Sequence, residues 1–168
     1  HSLLVEAEIA FEFCTPVSAQ LADVAAVKAV VCRLRPAVEL PDAAIPDLGA
    51  IKTDLPRLAQ ALIPTNIATR DVALGQPVEA AGIDLTALTV RTSRDDALLG
   101  ERRAGPANAA MWEAVRWIVN DFVLKHGYRI DAGQIVMPGN LTGLHVGEAG
   151  HYRVDYGALG VVEFDVVD

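Results

Sequence analysis

The chain has 168 residues, of which 52% are hydrophobic and 21% are charged. This length and composition suit a single globular domain with a sizeable core, and they exclude a disordered chain. The formal net charge of −8 argues against nucleic acid and anionic membranes as partners, because both are bound by clustered Lys and Arg. No apolar run is long enough to span a membrane, and no signal peptide is visible. We therefore expect one domain over residues 1–168, located in the cytoplasm.

The two cysteines, Cys14 and Cys32, lie in apolar stretches and lack a metal-binding spacing. We expect buried free thiols, which suit a reducing compartment. A disulfide between the two residues stays open as the alternative, since the sequence alone does not decide pairing.

The first half of the chain predicts a strand, a helix and several short strands. Residues Leu3–Phe13 alternate as a strand does, and residues Ser18–Arg33 carry apolar side chains at helical spacing with Ser18 as the N-cap. The further predicted elements are a strand at 36–40, a proline-rich loop at 41–64 containing a short helix at 55–62, and strands at 72–74 and 77–80 around a turn at Gly75.

The second half predicts more strands and the strongest helix of the chain. Pro106 suits a first helical turn, an apolar stripe follows to His126, and Gly127 fits the position after the helix. The predicted strands are 85–91, 98–101 after a turn at Asp95 and Asp96, 134–137, 152–156 and 160–166. Strands outnumber helices without strict alternation. The expected fold class is therefore α+β, a mostly β mixed roll or barrel with one long and one shorter packed helix.

The first predicted strand carries several acidic residues on one face. Side chains two residues apart share a face, so Glu6, Glu8 and Glu12 lie together while the other face is core. Neighbouring carboxylates repel unless they are solvated, protonated or bridged by a cation. Spacing alone leaves two interpretations open: the water-facing side of an edge strand, or a site for a hard cation such as Mg²⁺.

Motifs along the chain resemble one enzyme group. Residues Val5–Phe11 are similar to the Val-Glu-x-Glu-Ile-Ala-Phe signature of the hydratase and decarboxylase branch of the fumarylacetoacetase superfamily. Residues Arg35–Leu40 are similar to the Pro-Ala-Ile-Glu-Ile segment of that branch. Weaker similarities follow in the same order at 66–68, 72–75, 105–112, 131–139 and 156–162.

The resemblance implies the C-terminal metal-binding domain of this superfamily. It assigns Glu6, Glu8 and Glu39 as ligands of Mg²⁺ or Mn²⁺. It also suggests Asn66, Asn140 and Thr142 as substrate-binding residues. For Asn140 and Thr142 an ordinary turn is the competing interpretation.

The resemblance further implies a lyase that acts on small 2-oxo or 2-hydroxydienoic acids from aromatic degradation. The expected reaction is hydration of 2-hydroxypenta-2,4-dienoate to 4-hydroxy-2-oxopentanoate, in a homo-oligomer. A bound metal would act as a Lewis acid on the 2-oxo group. The alternatives are a 2-oxo acid decarboxylase, a non-catalytic relative that acts as a binding or partner subunit, and an enzyme that hydrolyses C–C bonds.

Two departures from the family pattern bear on these expectations. Family members carry an N-terminal region with a Lys assigned to acid–base catalysis, and the given sequence has no residue before His1. The family also has Asp-Ser-Arg after its third Glu, where this chain has Leu40-Pro41-Asp42. The sequence therefore assigns no catalytic acid or base.

Overall fold

A computed structural model describes residues 3–42, 54, 56–57, 60 and 68–167 of the chain. Strands predominate in these residues, and the expected α+β fold class is confirmed. The strands are β1 (Leu4–Phe13), β2 (Val31–Pro41), β3 (Thr69–Leu74), β4 (Val78–Glu79), β5 (Val90–Arg94), β6 (Ala97–Arg102), β7 (Ile135–Val136), β8 (His145–Val146), β9 (Gly150–Asp155) and β10 (Val161–Val166). The helices are α1 (Val24–Val30) and α2, a helical segment at 106–126 whose regular α-helical part is Ala110–Trp117.

The first sheet is built around β1 and β2, which pair antiparallel over most of their length. On the far side of β2 lie β3 and β4, and on the far side of β1 lie β7 and β8, one near each end. The strand predicted at Leu3–Phe13 is confirmed. The strand predicted at 36–40 is longer than expected, because pairing with β1 extends β2 back to Val31.

The second sheet has the order β10-β9-β5-β6, and all of its pairs are antiparallel. Asp95 and Asp96 form the predicted turn between β5 and β6, with φ angles of 47° and 65°, as a two-residue hairpin turn of this kind requires. The strand predicted at 85–91 is wrong in its first half. There the Asp84 carboxylate accepts a hydrogen bond from the Thr86 N–H, and this local bond favours a 3-10 turn at Leu85–Ala87.

The helix predicted at Ser18–Arg33 is much shorter than expected. α1 begins after Asp23, whose carboxylate caps it by accepting a 2.8 Å hydrogen bond from the Ala26 N–H. It ends at Val30, since Val31 pairs with Phe13 of β1. The strand pairing gained by extending β2 back to Val31 is therefore more favourable than the longer helix that the apolar spacing predicts.

The helix predicted at 106–126 is confirmed, and Gly127 follows it in the left-handed conformation with φ 80°. Its middle, Ile118–Val123, is π-helical, a rare form that tolerates an extra residue in the turn. Asn120 of this turn is buried and bonds both backbone groups of Leu21. Its amide oxygen accepts from the Leu21 N–H and its amide nitrogen donates to the Leu21 carbonyl, each at 2.9 Å. The π turn thus joins α2 to the segment before α1.

The hydrophobic core uses the face of β1 that the alternation predicted. Its five side chains are at most 1% exposed; they are Val5, Ala7, Ile9, Phe11 and Phe13. They pack in one cluster with α2 and with the inner residues of the second sheet. The ring of Phe11 meets that of Trp112 edge-to-face at 4.9 Å, a favourable geometry for aromatic pairs.

The two cysteines are joined in the structure, so the expectation of free thiols is wrong. Cys14 and Cys32 form a disulfide, and their Cα atoms lie 5.7 Å apart, within the usual range for such a bond. Hydrogen bonding of the Cys14 N–H to the Val30 carbonyl brings the two segments together. The expectation of a reducing compartment rested on free cysteines, so the disulfide removes its support.

Among the residues that the structure describes, no helix is both long enough and apolar enough to cross a membrane. The short helix predicted at 55–62 falls mostly outside the described ranges.

Replacing Asn120 by alanine should destabilise the protein by about 2–4 kcal/mol, because it leaves the buried N–H and carbonyl of Leu21 without partners. Urea unfolding measures this change in the free energy of unfolding. The matched control is Asp121→Ala, in the same π turn but exposed, which should change the free energy by less than about 0.5 kcal/mol. Equal effects of the two substitutions would contradict the role given to Asn120.

Candidate metal centre

The structure brings the three predicted glutamates together on adjacent strands. Glu6 of β1 lies directly opposite Glu39 of β2, and Glu8 lies two pairs further along, opposite Ala37. One carboxylate oxygen from each glutamate lies within 4.8 Å of the others. The grouping follows from the register, since residues two apart on β1 share the face on which Glu39 stands.

The face that carries these glutamates is buried rather than water-facing. Glu8 is 3% exposed and Glu12 is 7% exposed, while Ala10 between them is fully buried. β1 is also a central strand with partners on both sides. The interpretation of this face as the water-facing side of an edge strand is therefore wrong.

The segment 138–141 fills the gap that β7 and β8 leave along β1. β7 pairs with Phe11 and Glu12 and β8 pairs with Leu4 and Val5, so the middle of β1 has no strand partner on that side. There the Leu141 N–H donates to the Ala7 carbonyl at 2.8 Å. The Gly139 N–H donates to a carboxylate oxygen of Glu8 at 3.0 Å. A backbone amide thus orients the most buried of the three carboxylates.

Burial and mutual repulsion raise the pKa of two of the carboxyl groups. The pKa of Glu8 rises to about 7, chiefly through burial; the Gly139 N–H opposes this rise, and the charges of Glu39 and Glu6 add to it. The pKa of Glu6 is also raised by burial and by Glu39, and a hydrogen bond from the Asn140 side chain partly offsets this. Two full charges 4.8 Å apart repel by about 3.5 kcal/mol at an effective dielectric constant of about 20. The patch therefore favours a bound proton or a bound cation.

Two hydroxyl groups support the centre, and the sequence analysis singled out neither. The Thr69 hydroxyl of β3 donates to a carboxylate oxygen of Glu39. The hydroxyl of the fully buried Tyr156 donates to the carbonyl of Ala37, which is the pairing partner of Glu8. Burial, followed by the nearby Glu8 charge, raises the pKa of Tyr156, so the phenol stays neutral. The weaker family similarity at 156–162 includes Tyr156 and was the available signal for that residue.

Glu12 shares the acidic face of β1 but does not belong to the cluster. Its carboxylate bonds Arg33 at 3.1 Å and Arg35 at 2.8 Å. The hydrogen bond from Arg35 is the main cause that lowers the pKa of Glu12. Glu6, Glu8 and Glu39, by contrast, form no ion pair with a Lys, Arg or His side chain of residues 3–42 and 68–167.

The predicted substrate-binding residues have different positions. Asn140 reaches the cluster, since its side chain bonds Glu6. Its amide oxygen also accepts from the N–H groups of Thr142 and Gly143, each at 3.0 Å, which is the turn that the sequence left open. The Thr142 hydroxyl is paired with the buried Thr92 hydroxyl at 2.8 Å. Asn66 lies outside the described residues.

Three carboxylates without a cationic side chain match what a hard divalent cation requires. Mg²⁺ binds through carboxylate oxygens and keeps further positions for water and substrate. The partial burial of Glu6 and Glu39 leaves one side of the patch accessible. The residues present therefore fit Mg²⁺ or Mn²⁺.

A cavity of about 460 Å³ lies elsewhere, and its lining includes none of the three glutamates. Its walls carry Lys28, Glu79 and Trp112. The Lys28 ammonium lies 5.3 Å from the centroid of the Trp112 ring, a stabilising cation–π distance.

Solved structures share the fold of this chain, whereas no protein-family model and no curated protein matches it. 4-Oxalocrotonate decarboxylase from Pseudomonas putida G7, complexed with magnesium and adipate, aligns with a TM-score of 0.79 and 20% identity over 96% of this chain and 59% of its own. A fumarylacetoacetate hydrolase family protein from Yersinia pestis CO92 aligns at 0.68 and 14%, over 99% and 70%. 2-Hydroxyhepta-2,4-diene-1,7-dioate isomerase from Mycobacterium marinum aligns at 0.63 and 13%, over 96% and 57%.

These likenesses show that the chain has the fold of the fumarylacetoacetase superfamily, as the motifs predicted. At such identities they show the fold alone. The structures that share it include a decarboxylase, solved with magnesium or with calcium, and an isomerase. The chain spans about three fifths of the length of the decarboxylase.

In the metal-free protein, Glu8 should make folding less favourable as the pH rises. Its pKa is about 7 in the folded protein against 4.5 as the ordinary value, so the penalty is absent below pH 4.5, grows between 4.5 and 7, and is complete above 7. At 1.36 kcal/mol per pKa unit it reaches about 3 kcal/mol. Urea unfolding of the wild type and of Glu8→Gln between pH 4.5 and 8 checks this.

His151 also makes the protein less stable as the pH rises, because its hydrogen bond to Asp165 raises its pKa. The difference in unfolding free energy between the wild type and Glu8→Gln cancels this effect and leaves that of Glu8. The Glu8→Gln variant should gain stability relative to the wild type as the pH rises. A difference that does not change with pH would contradict the buried position of the Glu8 carboxyl group.

Proposed function

We propose that this chain is a divalent-metal-dependent lyase that acts on small 2-oxo or 2-hydroxydienoic acids. The observation that carries the proposal is the convergence of carboxylate oxygens from Glu6, Glu8 and Glu39, of which Glu8 is buried and the other two are half-buried. Among residues 3–42 and 68–167, no cationic side chain pairs with them. The shared fold with 4-oxalocrotonate decarboxylase and with 2-hydroxyhepta-2,4-diene-1,7-dioate isomerase supports the substrate class.

In this proposal the three glutamates hold Mg²⁺ or Mn²⁺. When bound, such an ion supplies a Lewis acid that stabilises negative charge developing on the 2-oxo oxygen of the substrate. The ion also gives positive charge to a chain of net charge −8, so that an anionic substrate is attracted to this position.

The protein's own groups hold the carboxylates in place. The Gly139 N–H orients Glu8, the Thr69 hydroxyl orients Glu39, and the Asn140 side chain bonds Glu6. Each of these groups donates a hydrogen bond, and each therefore favours the ionised carboxylate that metal binding requires. Because the Glu8 carboxyl keeps its proton until about pH 7, binding of the ion displaces that proton and should tighten as the pH rises.

The Asn140 side chain bonds Glu6 and therefore lies beside the proposed metal ligands. The turn formed with Thr142 and Gly143 fixes its amide oxygen and leaves the amide nitrogen directed to the cluster. We assign Asn140 to orientation of the substrate beside the glutamates. Thr142 supports this turn through its backbone N–H and its bond to Thr92.

The specific reaction we favour is hydration of 2-hydroxypenta-2,4-dienoate to 4-hydroxy-2-oxopentanoate, on the strength of the Val5–Phe11 and Arg35–Leu40 motifs. Decarboxylation of a 2-oxo acid is the alternative, and the likeness to 4-oxalocrotonate decarboxylase favours it. Both reactions place negative charge on the same 2-oxo oxygen, so the centre serves either.

The test is to measure Mn²⁺ binding by calorimetry and then the consumption of 2-hydroxypenta-2,4-dienoate with Mn²⁺ present. The wild type should bind Mn²⁺ and turn the substrate over, and Glu8→Gln should lower both metal affinity and turnover by about a hundredfold or more. Glu163→Gln, at an exposed position of β10, is the control and should behave as the wild type. A wild type that binds no Mn²⁺ would overturn the proposal, and one that binds Mn²⁺ without turnover would favour a non-catalytic relative.

A further inference from the structure

A second cavity, of about 210 Å³, lies between α2, the end of β6 and the segment 138–141. Three alanines and Met111 of α2, together with Pro138 and Leu141, give it mostly apolar walls. Arg102 is the only charged residue in the lining. A cavity of this kind, apolar with one placed cation, is typical of sites for small anionic ligands.

Arg102 differs from the other arginines of residues 3–42 and 68–167 in its lack of an ion pair within these ranges. Ten arginines lie in residues 3–42 and 68–167, and nine of them form an ion pair with Asp or Glu. Arg102 forms none within these ranges, although the chain has 22 acidic residues against 14 basic ones. Within the described part of the chain, this half-buried guanidinium therefore lacks the anionic partner that its chemistry favours.

The guanidinium of Arg102 is also held in a fixed position. Its Nε donates to the amide oxygen of Asn108 at 2.8 Å. Asn108 is 4% exposed, and its amide nitrogen donates to the carbonyls of Leu88 at 3.0 Å and Arg103 at 3.4 Å. With Nε engaged, the two terminal amino groups make no hydrogen bond within residues 3–42 and 68–167. Orienting one edge of the guanidinium in this way leaves the other free for a carboxylate.

We propose that the Arg102 cavity is a binding site for the carboxylate group of a small organic acid. Arginine binds carboxylates through two parallel hydrogen bonds, and the apolar walls strengthen them by excluding water. Met111 and the alanines suit a short hydrocarbon chain attached to that carboxylate.

The cavity shares a wall with the glutamate cluster. Gly139 and Asn140 line it, and the same two residues bond Glu8 and Glu6. The carboxylate therefore has two possible sources. It is either the far end of a dicarboxylic substrate whose 2-oxo end lies at the glutamates, which rests on the proposed function, or a separate carboxylic acid.

Calorimetric titration with three acids of equal chain length tests the site and identifies the source. The probes are 2-oxoadipate and 2-oxohexanoate with saturating Mn²⁺, and adipate without metal. The proteins are the wild type, Arg102→Gln, Arg102→Lys, Glu8→Gln and the control Arg103→Gln. Arg103 is adjacent and exposed, and it pairs with Glu101 instead of lining the cavity. Thermal melting confirms that the variants are folded, and Arg102→Lys takes the place of Arg102→Gln if the latter does not fold.

The expected result is that Arg102→Gln loses about tenfold or more in affinity for the dicarboxylic probes, the value of one charge-assisted hydrogen-bonded pair. Arg102→Lys should lose less, and Arg103→Gln should bind as the wild type does. If the carboxylate is the far end of a substrate that bridges to the glutamates, binding of 2-oxohexanoate should not depend on Arg102.

The Glu8→Gln variant distinguishes the two sources of the carboxylate. If 2-oxoadipate bridges the cavity and the glutamates, both Glu8→Gln and Arg102→Gln weaken its binding. If the cavity takes a separate acid, adipate binds the wild type and Glu8→Gln equally. Dicarboxylate binding that is the same in Arg102→Gln as in the wild type, or absent from both, overturns the proposal. If the wild type does not bind Mn²⁺, the proposed function is contradicted. Adipate binding that depends on Arg102 would still support the carboxylate site in the cavity.

Discussion

Repulsion among three neighbouring carboxylates is the constraint on which the rest of this structure depends. Glu6, Glu8 and Glu39 converge within 4.8 Å on a buried face, where each ionised pair costs about 3.5 kcal/mol at an effective dielectric constant of about 20. A domain is stable by only about 5–15 kcal/mol. Such an arrangement persists because protons or a cation neutralise it, and because the surrounding backbone holds the side chains together.

The fold supplies that support from distant parts of the chain. β1 and β2 set the glutamates in register, and the segment 138–141 donates to Glu8 and reaches Glu6. Tyr156, which directly follows β9 of the second sheet, bonds the Ala37 carbonyl. The cavity beside Arg102 lies against the same segment. A ligand in that cavity would contact Gly139 and Asn140, which bond Glu8 and Glu6. The two sites therefore share residues.

The resemblance of two local motifs to a known family predicted the glutamate trio, whereas alternation alone left the acidic face of β1 open to two interpretations. β1, the helix at 106–126 and the strands β6, β9 and β10 were likewise predicted from nearby residues, whereas the strand expected at 85–91 was wrong in its first half. The burial of the acidic face was not, since it depends on contacts such as Gly139 with Glu8, 131 positions apart. The same holds for the Cys14–Cys32 disulfide and for the unpaired state of Arg102, which require the whole set of neighbours. The helix predicted from Ser18 failed because sheet pairing at Val31 competes with helical spacing.

The central claim is that Glu6, Glu8 and Glu39 together hold a divalent cation. Its most direct test is anomalous diffraction from crystals of the protein soaked in Mn²⁺. The account predicts one strong peak, about 2.1 Å from a carboxylate oxygen of each of the three glutamates. A peak at any other carboxylate cluster with none between these three, or no peak at saturating Mn²⁺, would contradict it.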